Sequence, residues 1–398
     1  MSDVILVVNT GSSSIKVSVY RIEASNHLAL LAKGNFEGIG TEPRFRLQGS
    51  NAETLVDRSY PPGEVCSQTE AMALCGATLR AQIQGVSIAA AGHRVVHGGL
   101  RYSAPALVDG SVLDYLESLI PLAPLHQPFN LQGIRALLKS SPDAPQVACF
   151  DTAFHRGHPD VADVLGLPYE YYERGVRRFG FHGLSYEYIA GALREQAPEV
   201  AAGKVVVAHL GSGASLCALD GGRSVDSTMS FTALDGLPMG TRPGALDAGA
   251  VLHVMKEDGL DTEQMQDLLY KRSGLLGLSG ISNDMRTLLA SDEPRARLTV
   301  AFFVYRVSKE VAALGSALGG LDAVVFTAGI GERSQAIREQ VCTKLRWLGL
   351  ELDAEANATG GPRISAAGSR VSAWVIPTDE ELMVAHHTLA ALRARNTP

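Results

Sequence analysis

The clearest pattern of apolar and polar positions lies near the start of the chain. Residues 4–8 are all apolar, a polar turn rich in Ser and Gly follows at 9–14, and apolar and polar residues then alternate over 15–19. An apolar run, a turn and an alternating stretch predict a β-hairpin. The turn is crowded with N–H and O–H donors that Lys16 can reach, so two interpretations stay open: a phosphate cradle or an ordinary Ser-rich hairpin.

The same design recurs half a chain length later. Residues 205–219, VVVAHLGSGASLCAL, again pass from an apolar run through a Gly/Ser turn into a second apolar stretch, and 207–212 align with 7–12. A repeat of this size predicts two similar domains rather than a solenoid. A length of 398 residues also favours two or three domains.

The remaining patterns predict strands that alternate with helices, and hence an α/β fold. Four segments read as irregular: a polar stretch up to Pro62 that follows one short strand, the Pro-rich 121–133, and the Gly-rich 273–280 and 328–333. Periodicity and capping residues predict helices at 69–84, 111–120, 134–139, 247–256, 262–272, 295–318, 335–345 and 382–393, and strands at 86–91, 147–150, 223–230, 321–327 and 373–376.

Composition and charge narrow the functional classes. The net charge is −7 and the 35 Lys and Arg are scattered, which disfavours nucleic acid or an anionic membrane as a partner. The five cysteines lack a CxxC pair and are typical of reduced thiols, and no apolar run approaches membrane-spanning length. We expect a soluble, cytoplasmic protein.

Three donor-rich loops follow predicted strands, at 9–14, 209–213 and 329–333. Together they favour a nucleotide bound between two domains. Arg94 and Arg242 stand beside Gly-rich turns, where a guanidinium can recognise a carboxylate or phosphate, although a single loop arginine is more often a solvated surface residue.

Oxygen and imidazole groups complete the candidate chemistry. Asp151 and Glu380 follow strands, and with Asn9 they offer oxygen ligands suited to Mg²⁺. The HRVVH segment at 93–97 has the spacing of a zinc-protease motif but lacks its glutamate, so such an enzyme is disfavoured. His182 lies among aromatic, basic and Gly neighbours, where a functional and a structural role are equally open.

Nine ordered blocks carry a family resemblance over essentially the whole chain. The chain resembles the acetate kinase family, within the acetate and sugar kinase/Hsp70/actin superfamily. The blocks are VVNTGSSSIK, GHRVVHGG, PLAPLH, FDTAFH, RRFGFHG, HLGSGAS, MGTRPG, FTAGIGE and PTDEEL.

The resemblance implies two duplicated actin-like, ribonuclease H-like domains with the active site in the cleft between them. The first domain would span 1–151, completed by the C-terminal helix 382–398, and the second 152–381. The implied reaction is Mg²⁺-dependent (Mn²⁺ also possible), reversible, in-line transfer of the ATP γ-phosphoryl group to acetate, giving acetyl phosphate and ADP. The implied assembly is a homodimer.

Matched motif by motif, the resemblance also implies roles for individual residues. The catalytic set is Arg94, Asp151, His182 and Arg242, and the metal ligands are Asn9 and Glu380. Acetate is expected to contact Arg94, Val96, Leu125, His126, Phe181 and Ala233. The nucleotide is expected to contact Ser12, Lys16, His209, Leu210, Gly211, Ser212, Gly213, Asp284, Met285, Arg286, Gly329, Ile330, Gly331, Glu332 and Arg333.

Several positions depart from the family pattern. Ser212 and Arg333 each stand where Asn is usual, which leaves the nucleotide or phosphate-donor preference open. Leu184 and Tyr186 replace the Thr and His of the common HGTSH, and Ala233 stands where Pro commonly lines the acyl pocket. Because one methylene in such a pocket decides only about 1–3 kcal/mol, a propionate or other short-chain fatty acid kinase is the alternative. A nucleotide-binding sensor without catalysis is the more remote one.

Overall fold

The computed structural model describes residues 2–24 and 27–396. The chain divides into two compact units, one made of the described residues up to Ala153 together with those from Asp379 onward, and the other of Phe154–Thr378. Over the described ranges, no helix is both long and apolar enough to cross a membrane.

The first unit is built on one mixed sheet, whose described strands have the order β5-β4-β3-β2-β1-β6-β8-β7. From β5 to β1 neighbouring strands are antiparallel, and β6 and β8 then add parallel to β1 and to each other. The strands are β1 (Ser2–Thr10), β2 (Ile15–Ile22), β3 (Leu28–Glu37), β4 (Arg44–Gly49), β5 (Thr54–Ser59), β6 (Val86–Val95), β7 (Ala106–Leu107) and β8 (Gln146–Phe150).

Helices cover both faces of this sheet. Apolar side chains of β1 and β2, such as Leu6 and Val17, share a buried cluster with Cys75. On the opposite face a β-carbon on Gly92 would lie 2.6 Å from Val384 and 2.2 Å from Thr388, so the final helix packs there almost against the backbone. The helices are α1 (Gln68–Gln82), α2 (Gly110–Ser118), α3 (Gln127–Ser140) and, from the end of the chain, α16 (Glu380–Asn396).

The second unit has a smaller sheet of order β11-β10-β9-β12-β13 among its described strands. Its first three strands are antiparallel, and β12 and β13 are parallel to β9. The strands are β9 (Lys204–Leu210), β10 (Ala214–Asp220), β11 (Arg223–Ser227), β12 (Ala323–Thr327) and β13 (Ser372–Val375).

The helices of the second unit range from single turns to a 25-residue helix. They are α4 (Asp160–Asp163), α5 (Tyr169–Glu173), α6 (Gly183–Gln196), α7 (Pro198–Ala201), α8 (Ala248–Glu257), α9 (Thr262–Lys271), α10 (Gly274–Ser279), α11 (Met285–Leu289), α12 (Pro294–Leu318), α13 (Ala328–Arg333), α14 (Gln335–Lys344) and α15 (Ala354–Thr359).

The two sheets share a core topology. Each has three antiparallel strands, beginning with a hairpin, followed by two strands parallel to the first strand of that hairpin. The predicted duplication and α/β class are therefore confirmed. The hairpin turns differ, because β1 and β2 close at Thr10–Ile15 whereas β9 and β10 close one residue tighter, at Leu210–Ala214.

Several predicted elements were wrong. The short strand predicted after the hairpin is β3, but the polar stretch that follows it up to Pro62 is not irregular: it forms β4 and β5, whose solvent-facing residues are naturally polar. Helix α3 starts inside the Pro-rich segment, at Gln127 rather than at 134, because Pro128 occupies its first turn, where no N–H is needed.

Two Gly-rich loops were also mispredicted. Residues 274–279 form α10 and Ala328–Arg333 form α13, short helices within segments expected to be irregular. Helix α6 was not predicted at all. The last helix is longer than 382–393, although residues 397 and 398 of the predicted range 382–398 lie outside those described.

Candidate active site

Arg94 is the centre of a charged cluster in the first unit. It lies near the carboxyl end of β6, and Asp151 directly follows the neighbouring parallel strand β8, so both reach the same edge of the sheet. Nε and Nη2 of Arg94 donate to the Asp151 carboxylate at 2.9 and 2.8 Å, and Nη1 lies 2.8 Å from Oε2 of Glu380. The cluster is largely buried, with 19% of the Arg94 side chain and 3% of the Asp151 side chain exposed.

The cluster fixes the charge and orientation of the guanidinium. Burial acts to lower the pKa of Arg94, but the carboxylates of Asp151 and Glu380 raise it above its usual value. Burial raises the pKa of Asp151, and Arg94 opposes that change. A guanidinium has five N–H donors, so the contacts with these two carboxylates leave donors for a further carboxylate.

Helix α3 holds the loops around this cluster. The Asn130 side chain accepts from the Val96 N–H at 3.0 Å and donates to the Thr10 carbonyl at 2.7 Å, so it links the ends of β6 and β1. Gln127 bonds both backbone groups of His97. His126 precedes the first residue of α3, and Leu125 and His126 are both half-buried. Asn130 and Gln127 were missed by the sequence analysis, because a buried amide inside a helix has no short motif.

The opening hairpin places polar groups beside the start of α16. Asn9 is paired directly with Lys16, so both side chains project from the same face of the sheet. Lys16 Nζ lies 3.9 Å from Glu381 Oε1, which shows that this face is turned toward α16. Ser12 is exposed in the turn, and its carbonyl accepts a hydrogen bond from Gln68.

Asn9 and Glu380 suit Mg²⁺ by their chemistry. An amide and a carboxylate offer hard oxygen ligands, and Mg²⁺ typically takes one or two such groups and completes its shell with water and phosphate. Both residues lie where the α16 face of the sheet meets the first turn of α16. Among the described residues no group of three His, Cys, Asp or Glu side chains is arranged to hold a metal.

His182 is the centre of a second cluster, in the second unit. It precedes α6 with φ 57° and ψ 23°, a left-handed conformation uncommon for a non-glycine residue and enriched at functional sites. Nδ1 of the ring lies 2.8 Å from Oγ of Ser215, and the ring stacks on His209 with centroids 4.2 Å apart. Phe181, one residue earlier, is buried, and its carbonyl accepts from Nε2 of His155 at 2.9 Å.

Arg242 converges with His182 on the turn after β9. A β-carbon on Gly213 would lie 2.8 Å from Nη2 of Arg242 and 3.2 Å from Nε2 of His182, so both nitrogens face the glycine. Nη1 of Arg242 donates to the Ala233 carbonyl at 2.7 Å. Burial lowers the pKa of Arg242, whereas carboxylates raise that of Arg94.

The other predicted nucleotide residues lie on three segments of the second unit. Leu210 is buried at the end of β9, Gly211 donates to the Gly213 carbonyl, and the Ser212 carbonyl accepts from Gly240. Asp284 caps α11, which contains buried Met285, and pairs at 2.6 Å with Arg286, whose side chain is 87% exposed.

Residues 329–333 belong to α13, which follows β12 through Ala328 at φ 62°. Glu332 accepts from the Ala328 N–H at 2.8 Å and the Thr378 N–H at 3.2 Å, so it links the ends of β12 and β13. A β-carbon on Gly329 would have open space around it. Buried Arg338, also missed by the sequence analysis, donates to the carbonyls of Gly331 and Glu332. Ile330 and Arg333 are the other two predicted residues of this helix.

Comparisons with known proteins identify the family to which the chain is similar. Residues 4–386 match a family model described as "Acetokinase family". An acetate kinase of Nitrobacter hamburgensis is 55% identical over 395 residues, covering 99% of this chain and 98% of that protein. The solved structures of a propionate kinase from Francisella tularensis and an acetate kinase from Porphyromonas gingivalis have TM-scores of 0.89 and 0.86, at 35% and 36% identity. Each pairing covers 98% of this chain and 100% of the other.

Proposed function

The chain belongs to the acetokinase family, and from that premise we propose that it transfers the γ-phosphoryl group of ATP to acetate, reversibly and in line. It is an enzyme of the carboxylate-phosphorylating kinase class. The arrangement of Arg94 between Asp151 and Glu380 is the observation that carries the acetate assignment. The guanidinium has N–H donors beyond those bonded to Asp151 and Glu380, and these suit a small carboxylate.

The carboxylate substrate needs orientation more than activation. Acetate is already anionic, so no general base has to remove a proton before an acetate oxygen bonds to the γ-phosphorus and the bond to the ADP oxygen breaks. Arg94 binds the carboxylate, and Asp151 and Glu380 keep the guanidinium charged and fixed. Val96, Leu125, His126, Phe181 and Ala233 are assigned to the surroundings of the acetate.

The phosphoryl group needs stabilisation of its negative charge. His182 Nε2 and Arg242 Nη2 both face Gly213, and they are assigned as donors to the equatorial oxygens of the transferring group. Mg²⁺ held by Asn9 and Glu380 would supply further charge neutralisation at the phosphates. Lys16, Ser12 and the loops at 209–213, 284–286 and 329–333 are assigned to the nucleotide.

The decisive experiment measures acyl phosphate formation by hydroxamate trapping, with acetate, propionate and butyrate and with ATP, GTP and pyrophosphate. Acetate with ATP is expected to give the highest kcat/KM. Arg242→Ala is expected to lower kcat about 10²–10³-fold, the usual effect of removing a group that stabilises transition-state charge. Arg223→Ala, an exposed arginine of the same unit, is the matched control. Near wild-type kcat for Arg242→Ala would contradict the assignment.

Propionate is the second candidate substrate, because Ala233 is smaller than the proline common at that position. Ala233 also lies next to Arg242, which donates a hydrogen bond to its carbonyl. An extra methylene in an apolar pocket is worth about 1–3 kcal/mol. A kcat/KM for propionate above that for acetate would assign this enzyme to propionate.

We propose that the enzyme acts as a homodimer through an apolar face of the second unit. We assign to this face four large side chains that are more than half exposed: Leu246 (51%), Leu252 (67%), Leu298 (62%) and Tyr305 (55%). Neighbouring α8 and α9 line a groove of about 380 Å³ with apolar residues, including Val251 and Leu268. Exposed apolar area of this kind is typical of a surface that binds a partner.

A further inference from the structure

Behind His182 lies a short chain of buried hydroxyl groups. Oγ of Ser215 lies 2.8 Å from Nδ1 of His182 and 2.5 Å from the hydroxyl of Tyr186. Ser215 and Tyr186 are both fully buried, with 0% of either residue exposed. Tyr186 lies one turn into α6, and Ser215 is on β10, opposite His209. Two rigid elements therefore hold the Tyr186 hydroxyl against that of Ser215, and the Ser215 hydroxyl against the ring nitrogen.

We propose that Tyr186 and Ser215 are positioning residues that fix the tautomer of His182. Tyr186 donates its O–H to Ser215 Oγ, and Ser215 donates its O–H to Nδ1 of His182. Nδ1 is then an acceptor, so the neutral imidazole carries its proton on Nε2. This inference rests on the proposed function, in which Nε2 donates to the transferring phosphoryl group.

The geometry around Nε2 favours this direction of donation. Nε2 faces the same glycine as Nη2 of Arg242, within 3.2 Å of a β-carbon position on Gly213. With the proton on Nε2, imidazole and guanidinium both present donors to one anion. The reverse tautomer would place a lone pair there, and an anionic oxygen would be repelled.

The stacking on His209 holds the His182 ring in one orientation. The two imidazoles are 4.2 Å apart at an interplanar angle of 18°, and His209 is itself held at Nδ1 by Ser185, 2.9 Å away. Rotation of the His182 ring about its Cβ–Cγ bond would break both the stack and the bond to Ser215. The donor is therefore arranged before substrate binds, which avoids reorganisation during the reaction.

The test combines kinetics with a direct view of the ring protons. In the ligand-free protein labelled with ¹⁵N-histidine, long-range ¹H–¹⁵N spectra report which nitrogen of His182 is protonated, with His182→Gln used for assignment. The expected wild-type result is protonation at Nε2, and Ser215→Ala is expected to give a mixture of tautomers. Protonation of wild-type His182 at Nδ1 would overturn the proposal. Because no substrate is needed, this result is independent of whether the protein phosphorylates acetate.

Kinetics provide the second readout. Tyr186→Phe and Ser215→Ala are each expected to lower kcat about ten-fold, the effect of about 1.4 kcal/mol, with KM for acetate and ATP changed less than two-fold. Ser215→Thr, which keeps the hydroxyl, is expected to recover most of the loss. Ser227→Ala is the matched control, because it removes a buried hydroxyl of the adjacent strand that bonds only the Leu216 carbonyl among the described contacts. Equal losses in Ser227→Ala and Ser215→Ala, or no loss in Ser215→Ala, would overturn the proposal.

Discussion

At the scale of single residues, the chain uses its two best-placed arginines differently. Arg94 is paired with two protein carboxylates, and its remaining N–H donors are assigned to the acetate. Arg242 bonds a backbone carbonyl and faces Gly213. A carboxylate fixed by the protein orients a cation, whereas a cation whose pKa is lowered by burial gains most from an incoming anion.

Gly213→Ala tests the space shared by Arg242 and His182. The new methyl group would lie 2.8 Å from Nη2 and 3.2 Å from Nε2, so the side chains must shift away from their common target. We expect kcat to fall about 10²-fold, since misplacement by about 1 Å has such an effect, while the thermal unfolding temperature stays close to wild type. Gly191→Ala, where a β-carbon has open space, is expected to keep full activity. Unchanged kcat in Gly213→Ala would contradict the assignment of this space to the phosphoryl group.

Three buried histidines make stability depend on pH. Burial lowers the pKa of His93 and of His155 to about 4 and that of His158 to about 3. Their unfolded pKa is near 6.5, so the unfolded chain binds protons first as pH falls. Stability from this source is complete above about pH 6.5 and is lost between about 6.5 and 4.

Urea unfolding at pH 7, 6 and 5 measures this loss. Each histidine is expected to contribute about 1.4 kcal/mol per pH unit to the decrease in unfolding free energy. His93→Gln removes one titrating group and is expected to show a shallower decrease than wild type, whatever its stability at pH 7. An unfolding free energy that rises from pH 7 to pH 5 would contradict this account.

At the scale of elements, the sequence predicted the helices and strands in which the spacing of apolar residues was uninterrupted. Both hairpins, α1, α8 and α12 were expected close to their observed bounds, because apolar spacing and caps such as Asp247 agree there. The polar outer strands β4 and β5 and the short helix α13 were not, because their stability comes from neighbours. Glu332 and Arg338 hold α13, and neither contact has a local signature in the sequence.

Arg338→Leu tests how α13 is supported. Arg338 is 2% exposed and donates to the carbonyls of Gly331, Glu332 and Asn357. Loss of these bonds leaves buried carbonyls unpaired, at about 1–3 kcal/mol per group. We expect a lower unfolding temperature and a raised KM for ATP with little change in KM for acetate. Lys344→Ala, an exposed cation of the same helix, serves as the control, and an unchanged KM for ATP would separate α13 from the nucleotide.

At the scale of the whole molecule, both units are assigned residues of one reaction. Arg94, Asp151 and Glu380 belong to the first, and His182 and Arg242 to the second. The sequence could assign these roles through motifs, but it could not assign Ser215, Asn130 or Gln127, whose partners are distant along the chain. The duplication could be predicted from the sequence because one hairpin is repeated. The order of five strands that the two sheets share could be seen only in the structure.

The proposed dimer gives a prediction at this scale. Leu252→Glu and Leu298→Glu place charge on the exposed apolar face and are expected to halve the mass measured by light scattering after size exclusion. Trp347→Glu, at another exposed apolar residue of the same unit (72%), is expected to leave the mass unchanged. A monomeric wild type, or dimers in both leucine variants, would contradict the proposed interface.

The contribution of α16 to the first unit has a consequence for synthesis of the protein. The ribosome makes β1, β6 and β8 before the whole of the second unit, and α16 after it. Until then the sheet face at Gly92 lacks its cover and Arg94 lacks Glu380. During translation the second unit can fold first. The earlier strands then keep an apolar face exposed until α16 is made, and exposed apolar surface of this kind makes a nascent chain prone to aggregation. A nascent chain that ends before α16 lacks the pair of Arg94 with Glu380 that we assign to acetate binding, so we expect activity only after the last helix has been made.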